Sequence, residues 1–292
     1  MSKVNRNYKA GMFTHLFGEP EKELELYNAF STSPYPSGTP VKDLTLSDAL
    51  YMDRVNDLSF CVADKMVAFF EDQTSISENM AVRYLIYCGR VYEKLIDNSA
   101  MYAEKRFFIP TPVFYVLYNG VKPCPEKTIY RLSDSFAVTP EGEVPLELVV
   151  TVYNVNKGYN EGIVKKSESL HGYVTLISRV REFERGGMER AKAVEAAVKE
   201  CIEHGVLAEY LTDNASEVFN MLLQDWNWED AKTVWQREAE ERGEKRGEKR
   251  GEKRGEKRGE KRGAELERMK LQPLLAEKDA EIAALKAKIN LS

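Results

Sequence analysis

The chain has 292 residues, 43% of them hydrophobic and 30% charged, with a formal net charge of −5. This is enough apolar content for a sizeable core in one large domain or two modest ones. The acidic balance excludes a protein that grips nucleic acid by bulk positive charge, so any basic surface has to be local.

The first residues, MSKVNRNYKAGMFTHLF, lack the long apolar stretch of a signal peptide. No later run approaches the roughly 18 apolar residues that a membrane span needs. A cytoplasmic chain with no membrane partner is therefore expected. Cys61, Cys88, Cys124 and Cys201 are far apart and form no C-x-x-C pair, which points to reduced thiols and not to a disulfide framework or zinc site. His15, His171 and His204 are as scattered. A Ser/His/Asp or Cys/His hydrolase has no support, and any catalysis should run on carboxylates.

In chain order, residues 8–30 predict two short helices parted by Gly18-Glu19-Pro20, with apolar stripes at Phe13, Leu16, Phe17 and at Leu24, Tyr27, Phe30. Residues 31–40, STSPYPSGTP, are loop by composition, and 46–52 form a short element before the first strand. Asp57–Val62 alternates like a half-buried strand. Ala63-Asp64-Lys65 makes a tight turn, and Met66–Glu71 returns as its antiparallel partner. A helix over 79–97 comes next. The third strand, 113–118, is apolar throughout and stops at Asn119-Gly120, so it should be central and covered on both faces. A fourth strand spans 146–153, and from about 162 the pattern is helical.

Residues 242–263 repeat RGEK with glycine every fourth position. Each glycine costs about 1 kcal/mol in a helix relative to alanine, and a four-residue period fixes no helix face. The tract is a marginal solvated helix or a flexible spacer. Beyond it, Leu275, Ile282 and Ile289 are seven apart with Leu285 between, a short heptad seam that predicts a coiled-coil tail and a homo-oligomer; Pro273 is expected to start that helix.

The chemistry concentrates in residues 56–75, NDLSFCVADKMVAFFEDQTS. A hairpin that turns at 63–65 brings Asp57 and Glu71 side by side at one end, and the period of two puts Gln73 on the same side as Glu71. Two carboxylates held together can bind Mg²⁺ through oxygen, and a bound metal acidifies its water and stabilises charge on a phosphate. Spacing alone leaves open that they are ordinary hairpin-end carboxylates.

This arrangement resembles the D…E-x-K core of the PD-(D/E)XK nucleases, with Gln in place of Lys. More narrowly, the chain is similar to the Rpn family of recombination-promoting nucleases, also described as putative transposases. The resemblance is carried by Tyr8-Lys9 with Phe13 and Leu16-Phe17, Glu25–Ala29, Asn56–Phe60, Glu71–Ser75, Asn79-Met80 with Arg83 and Tyr87, and Phe114–Gly120. It spans about 8–235, and the charged repeat is also similar to that seen in the family. Two positions depart from the pattern. Ala10 stands where relatives usually carry an acid, and Asp72 where they usually carry histidine, which adds negative charge beside the expected metal site.

The resemblance implies an α/β fold, a PD-(D/E)XK nuclease-like mixed sheet flanked by helices over 1–160. A helical region at 161–241, the repeat at 242–263 and a short coiled coil at 264–292 complete the chain. It implies a Mg²⁺-dependent endonuclease acting on DNA, with Asp57 and Glu71 as metal ligands and Gln73 positioning the attacking water. Lys9, Arg83 and Tyr87 are the substrate-binding candidates. The alternative is a catalytically weak DNA-associated or regulatory protein that self-assembles through its tail. A full transposase is disfavoured, because one small core shows no added end-recognition domain.

Overall fold

The computed structural model describes residues 11–46, 58–138 and 141–223, with the single positions Pro273 and Lys278, which are helical. Lys9, Ala10, Asp57, the element expected at 46–52 beyond Leu46, the repeat at 242–263 and the heptad positions Leu275, Ile282, Leu285 and Ile289 lie outside the described residues. The chain divides into two compact units, Met1–Trp226 and Asn227–Ser292. The sheet and the helices that cover it belong to the first unit.

The expected hairpin is present. Strand β2 (Leu58–Val62) returns as β3 (Met66–Gln73), with Leu58 opposite Phe70 and Val62 opposite Met66. Its turn closes through Lys65 N–H donating to the Val62 carbonyl at 3.0 Å. Ala63 and Asp64 both carry positive φ, 52° and 53°, the backbone hand that matches the twist of paired strands. Strand β3 outruns the expected end at Glu71 because β4 (Thr111–Tyr118) supports it in parallel register as far as Gln73 opposite Tyr118.

Two strands were not expected. The three-residue β1 (Val41–Asp43) pairs antiparallel with β2, and β5 (Lys127–Arg131) pairs antiparallel with β6 (Val149–Asn154). The sheet is mixed and six-stranded, in the order β1-β2-β3-β4-β6-β5, with β3, β4 and β6 parallel.

Helices cover both faces. On one, α3 (Met80–Leu95) lays Met80, Ala81, Tyr84, Tyr87 and Val91 over Val67, Phe69, Val116 and Val150. On the other, α1 (Met12–Phe17), α2 (Pro20–Phe30), α6 (Glu168–Arg185) and α7 (Arg190–Glu203) form a core with Phe60, Ala68, Phe70 and Leu117. Strand β4 sends Phe114, Val116 and Tyr118 to the first core and Leu117 to the second, the two-sided burial its apolar run predicts. The described residues also include the short α4 (Asn98–Met101), α5 (Glu161–Val164) and α8 (Ala208–Asp213), and residues 215–223 are helical. No helix of the described residues is long and apolar enough to cross a membrane.

The first and last parts of this core are joined by a carboxylate. Glu25 of α2 accepts from Ser167 Oγ at 2.7 Å, from the Ser169 backbone N–H at 2.8 Å and from Ser169 Oγ at 3.0 Å. Ser167 itself caps α6 by accepting from Leu170 N–H at 3.0 Å. The free amides of a helix start are thereby satisfied, and a negative charge sits at the positive end of the helix dipole. Partial burial opposes ionisation of Glu25, but the hydrogen bonds from Ser169 and Ser167, with Lys22, outweigh it and hold the carboxyl below the ordinary value of 4.5.

Because the folded-state value is depressed, this contribution is fully present above about pH 4.5 and is lost as the pH falls through the folded value. Replacing Glu25 with Gln should cost about 1.5–3 kcal/mol near neutral pH, the worth of hydrogen bonds to a charged group. The lower end is expected, since the side chain is 24% exposed. Thermal unfolding of both proteins from pH 7 to pH 3 checks this: the gap should narrow as the pH falls below 4.5, and a gap independent of pH would refute the charge argument.

Candidate active site at the carboxyl ends of β3, β4 and β6

The parallel register brings Gln73, Tyr118 and Asn154 into one row across three strands. The carboxyl ends of parallel strands are where open α/β sheets present ligand sites.

Three consecutive polar residues end β3, and the pleat divides them between faces. Glu71 and Gln73 point to the α3 side. Glu71 is 2% exposed, and its Oε2 lies 2.8 Å from Nη2 of Arg83, in the first turn of α3. The Gln73 amide is best oriented with its oxygen accepting from Arg83 Nη1 at 2.8 Å and its nitrogen donating to the Ser75 carbonyl at 3.2 Å. One guanidinium therefore binds both residues that the period of two puts together.

Arg83 is held in turn by its own helix. Tyr87, four residues on, places its ring 5.9 Å from the guanidinium carbon and its hydroxyl 3.5 Å from Nη2. Tyr87 is itself buried, in the core under α3, so it supports Arg83 from below. The Arg83 side chain is 37% exposed and is the part of this group that reaches solvent.

Asp72 corrects an expectation. Its charge does not lie beside Glu71, because alternation turns it to the opposite face, toward α6. There its Oδ1 accepts from Asn119 Nδ2 at 2.7 Å and its Oδ2 from the Tyr173 hydroxyl at 2.6 Å. Asn119 also donates its backbone N–H to the Gln73 carbonyl at 2.9 Å, carrying the β3–β4 ladder one residue past the strands. Gly120 is next in the chain, and a Cβ there would stand 1.8 Å from the Thr74 carbonyl oxygen. Only glycine allows the two strand ends so close.

Tyr173 was missed as a partner of this strand end, and Asn119 was read chiefly as turn chemistry. The Asn-Gly pair is an ordinary turn signal, and Tyr173 lies 101 residues from Asp72 in the chain. The same end of the sheet carries further asparagines. Asn154 donates to the Cys124 carbonyl at 2.9 Å, and Asn156 to the Gly120 carbonyl at 3.0 Å. Their density just after strand ends was the one available hint.

Among the described residues, no group of three or more His, Cys, Asp or Glu side chains is placed to hold a metal ion. The described oxygen donors are the Glu71 carboxylate and the Gln73 amide, and a cationic group bridges them. Both are oxygen donors, the kind Mg²⁺ takes, and one of the two carries a negative charge. Comparison with protein-family models, curated proteins and solved structures finds no match.

Removing the Tyr173 hydroxyl tests the strut behind β3. Tyr173→Phe should destabilise the protein by about 1–3 kcal/mol, because a half-buried carboxylate loses a short charge-assisted hydrogen bond. Urea unfolding measures it; a change below about 0.5 kcal/mol, the scatter of neutral surface substitutions, would show that the strut carries little.

Proposed function

We propose that this chain is a Mg²⁺-dependent DNA endonuclease of the PD-(D/E)XK type, similar to the Rpn recombination-promoting nucleases. The observation that supports it most is the pairing of Glu71 and Gln73 on one face at the carboxyl end of β3, both engaged by Arg83. Asp57 supplies the second carboxylate in this reading. It precedes Leu58, whose partner across the hairpin is Phe70, the residue before Glu71.

Asp57 and Glu71 would hold Mg²⁺, which when bound supplies an acidified water and charge stabilisation at the scissile phosphate. Gln73, fixed between Arg83 and the Ser75 carbonyl, orients the attacking water through its amide. A neutral amide lacks the positive charge of the usual lysine. Arg83 brings that charge from α3, 2.8 Å from the Gln73 oxygen. Arg83, supported by Tyr87, is then the leading contact for a DNA phosphate, with Lys9 an auxiliary one.

Plasmid cleavage with a Mg²⁺ titration tests the reading. Wild type should cut and chelator should abolish cutting; Glu71→Ala and Asp57→Ala should be inactive but folded. Gln73→Ala should be slower by about tenfold or more, the scale of a lost polar stabiliser. Wild-type cleavage by Glu71→Ala would overturn the assignment.

The tail adds assembly to this proposal. Leu275, Ile282, Leu285 and Ile289 would leave a lone helix with an apolar seam in water, at about 1.5–3 kcal/mol per large side chain. About two heptads make a marginal helix, so the expected self-association is weak and concentration-dependent. Truncation after Arg242 should lower it. Light scattering across a dilution series decides: identical masses for full-length and truncated protein throughout would remove the role.

A further inference from the structure

We propose that Arg83 is an exchangeable counter-ion. It neutralises Glu71 in the metal-free protein and turns to a DNA phosphate when Mg²⁺ is bound. This rests on the nuclease reading and adds a specific coupling to it.

The two ends of the ion pair are differently placed. Glu71 is 2% exposed, whereas the Arg83 side chain is 37% exposed. A carboxylate withdrawn from water needs a counter-charge, and breaking a buried pair by removing one partner is strongly unfavourable. Arg83 meets that need, with its guanidinium 2.8 Å from Glu71 Oε2. A divalent ion on the Glu71 carboxylate would stand beside a second positive charge, so Arg83 and the metal would compete for Glu71.

Arg83 can yield without unfolding anything. Its side chain starts from the first turn of α3, and its guanidinium meets the Met80 sulfur, 3.3 Å from Nη1, and the Tyr87 ring, whose centre is 5.9 Å from the guanidinium carbon. A side-chain rotation exchanges these uncharged contacts for solvent and carries the guanidinium outward. Its planar fork of donors then matches two phosphate oxygens. Arg83 leaving Glu71 also frees the Gln73 oxygen for water. Metal and DNA would thus help each other bind through one side chain.

The consequence is a pair of effects with opposite signs. Without the charge at position 83, Mg²⁺ should bind more tightly while cleavage becomes slower. A merely structural arginine would weaken both, and a simple DNA contact would leave metal affinity unchanged.

The test uses the full chain carrying Arg83→Met, which keeps the apolar stem, and Arg83→Gln, which keeps a hydrogen-bonding end and serves if the first variant fails to fold. Mg²⁺ affinity is measured by calorimetry without DNA, thermal unfolding with and without Mg²⁺, and plasmid cleavage separately. Both variants should bind Mg²⁺ about fivefold more tightly, the equivalent of releasing one partly exposed ion pair. They should unfold at a lower temperature without metal, gain more from adding it, and cleave about tenfold or more slowly. A folded variant with unchanged or weaker Mg²⁺ affinity overturns the proposal while wild-type binding and cleavage leave the nuclease reading standing. A wild type that neither binds Mg²⁺ nor cleaves removes both.

Discussion

A strand paired on both sides cannot choose where its side chains go. Strand β3 is paired antiparallel to β2 over Met66–Phe70 and parallel to β4 from Met66 to Gln73, so its residues are committed to alternate faces for its whole length. Glu71 and Gln73 are thereby assigned to α3 and Asp72 to α6. Everything distinctive about this end of the molecule depends on that division. A slip of one residue would send the Glu71 carboxylate against Tyr173 and strip Arg83 of its partner. The apolar residues before it enforce the register, since Val67 and Phe69 belong to one core and Ala68 and Phe70 to the other.

Each of the two charges on β3 has its own answer to burial. For Glu71 the answer is an arginine whose far side meets solvent. For Asp72 it is a tyrosine hydroxyl and an amide, both enclosed by protein. The first arrangement reaches solvent through its arginine, and the second is fixed beneath the helical layer. The molecule thus separates an open contact from a fixed one across the thickness of one strand. Glu25 repeats the fixed solution at the start of α6, where two serines and a backbone amide enclose the carboxylate.

Local pattern carried a large part of this structure. The 63–65 turn, the apolar run of β4 and the helical span of α3 were readable because each is decided by neighbours within a few residues. So was the shared face of Gln73 and Glu71, which needs only the pleat. Strand β1 was not, because Val41-Lys42-Asp43 has no periodicity and exists through its pairing with β2. Strand β5 was hidden likewise, its five residues alternating between exposed and half-buried. The Arg83 contacts to Glu71 and Gln73 depend on where α3 starts relative to β3, and the Tyr173–Asp72 bond on packing between distant segments. The misjudged placement of Asp72 shows the limit well: it was set beside the expected metal site, although the pleat turns it away from Glu71, and no local pattern told what waits on the other face.

The two outer strands have a consequence for how such molecules meet. An uncovered sheet margin is a template on which any extended chain can continue the ladder. Here one margin is β1, only three residues long and bearing Lys42 and Asp43, and the other is β5, bounded by Lys127 and Arg131. Shortness on one side and charge on the other discourage continuation at either margin. Copies of this chain are therefore steered away from merging their sheets into a common ribbon.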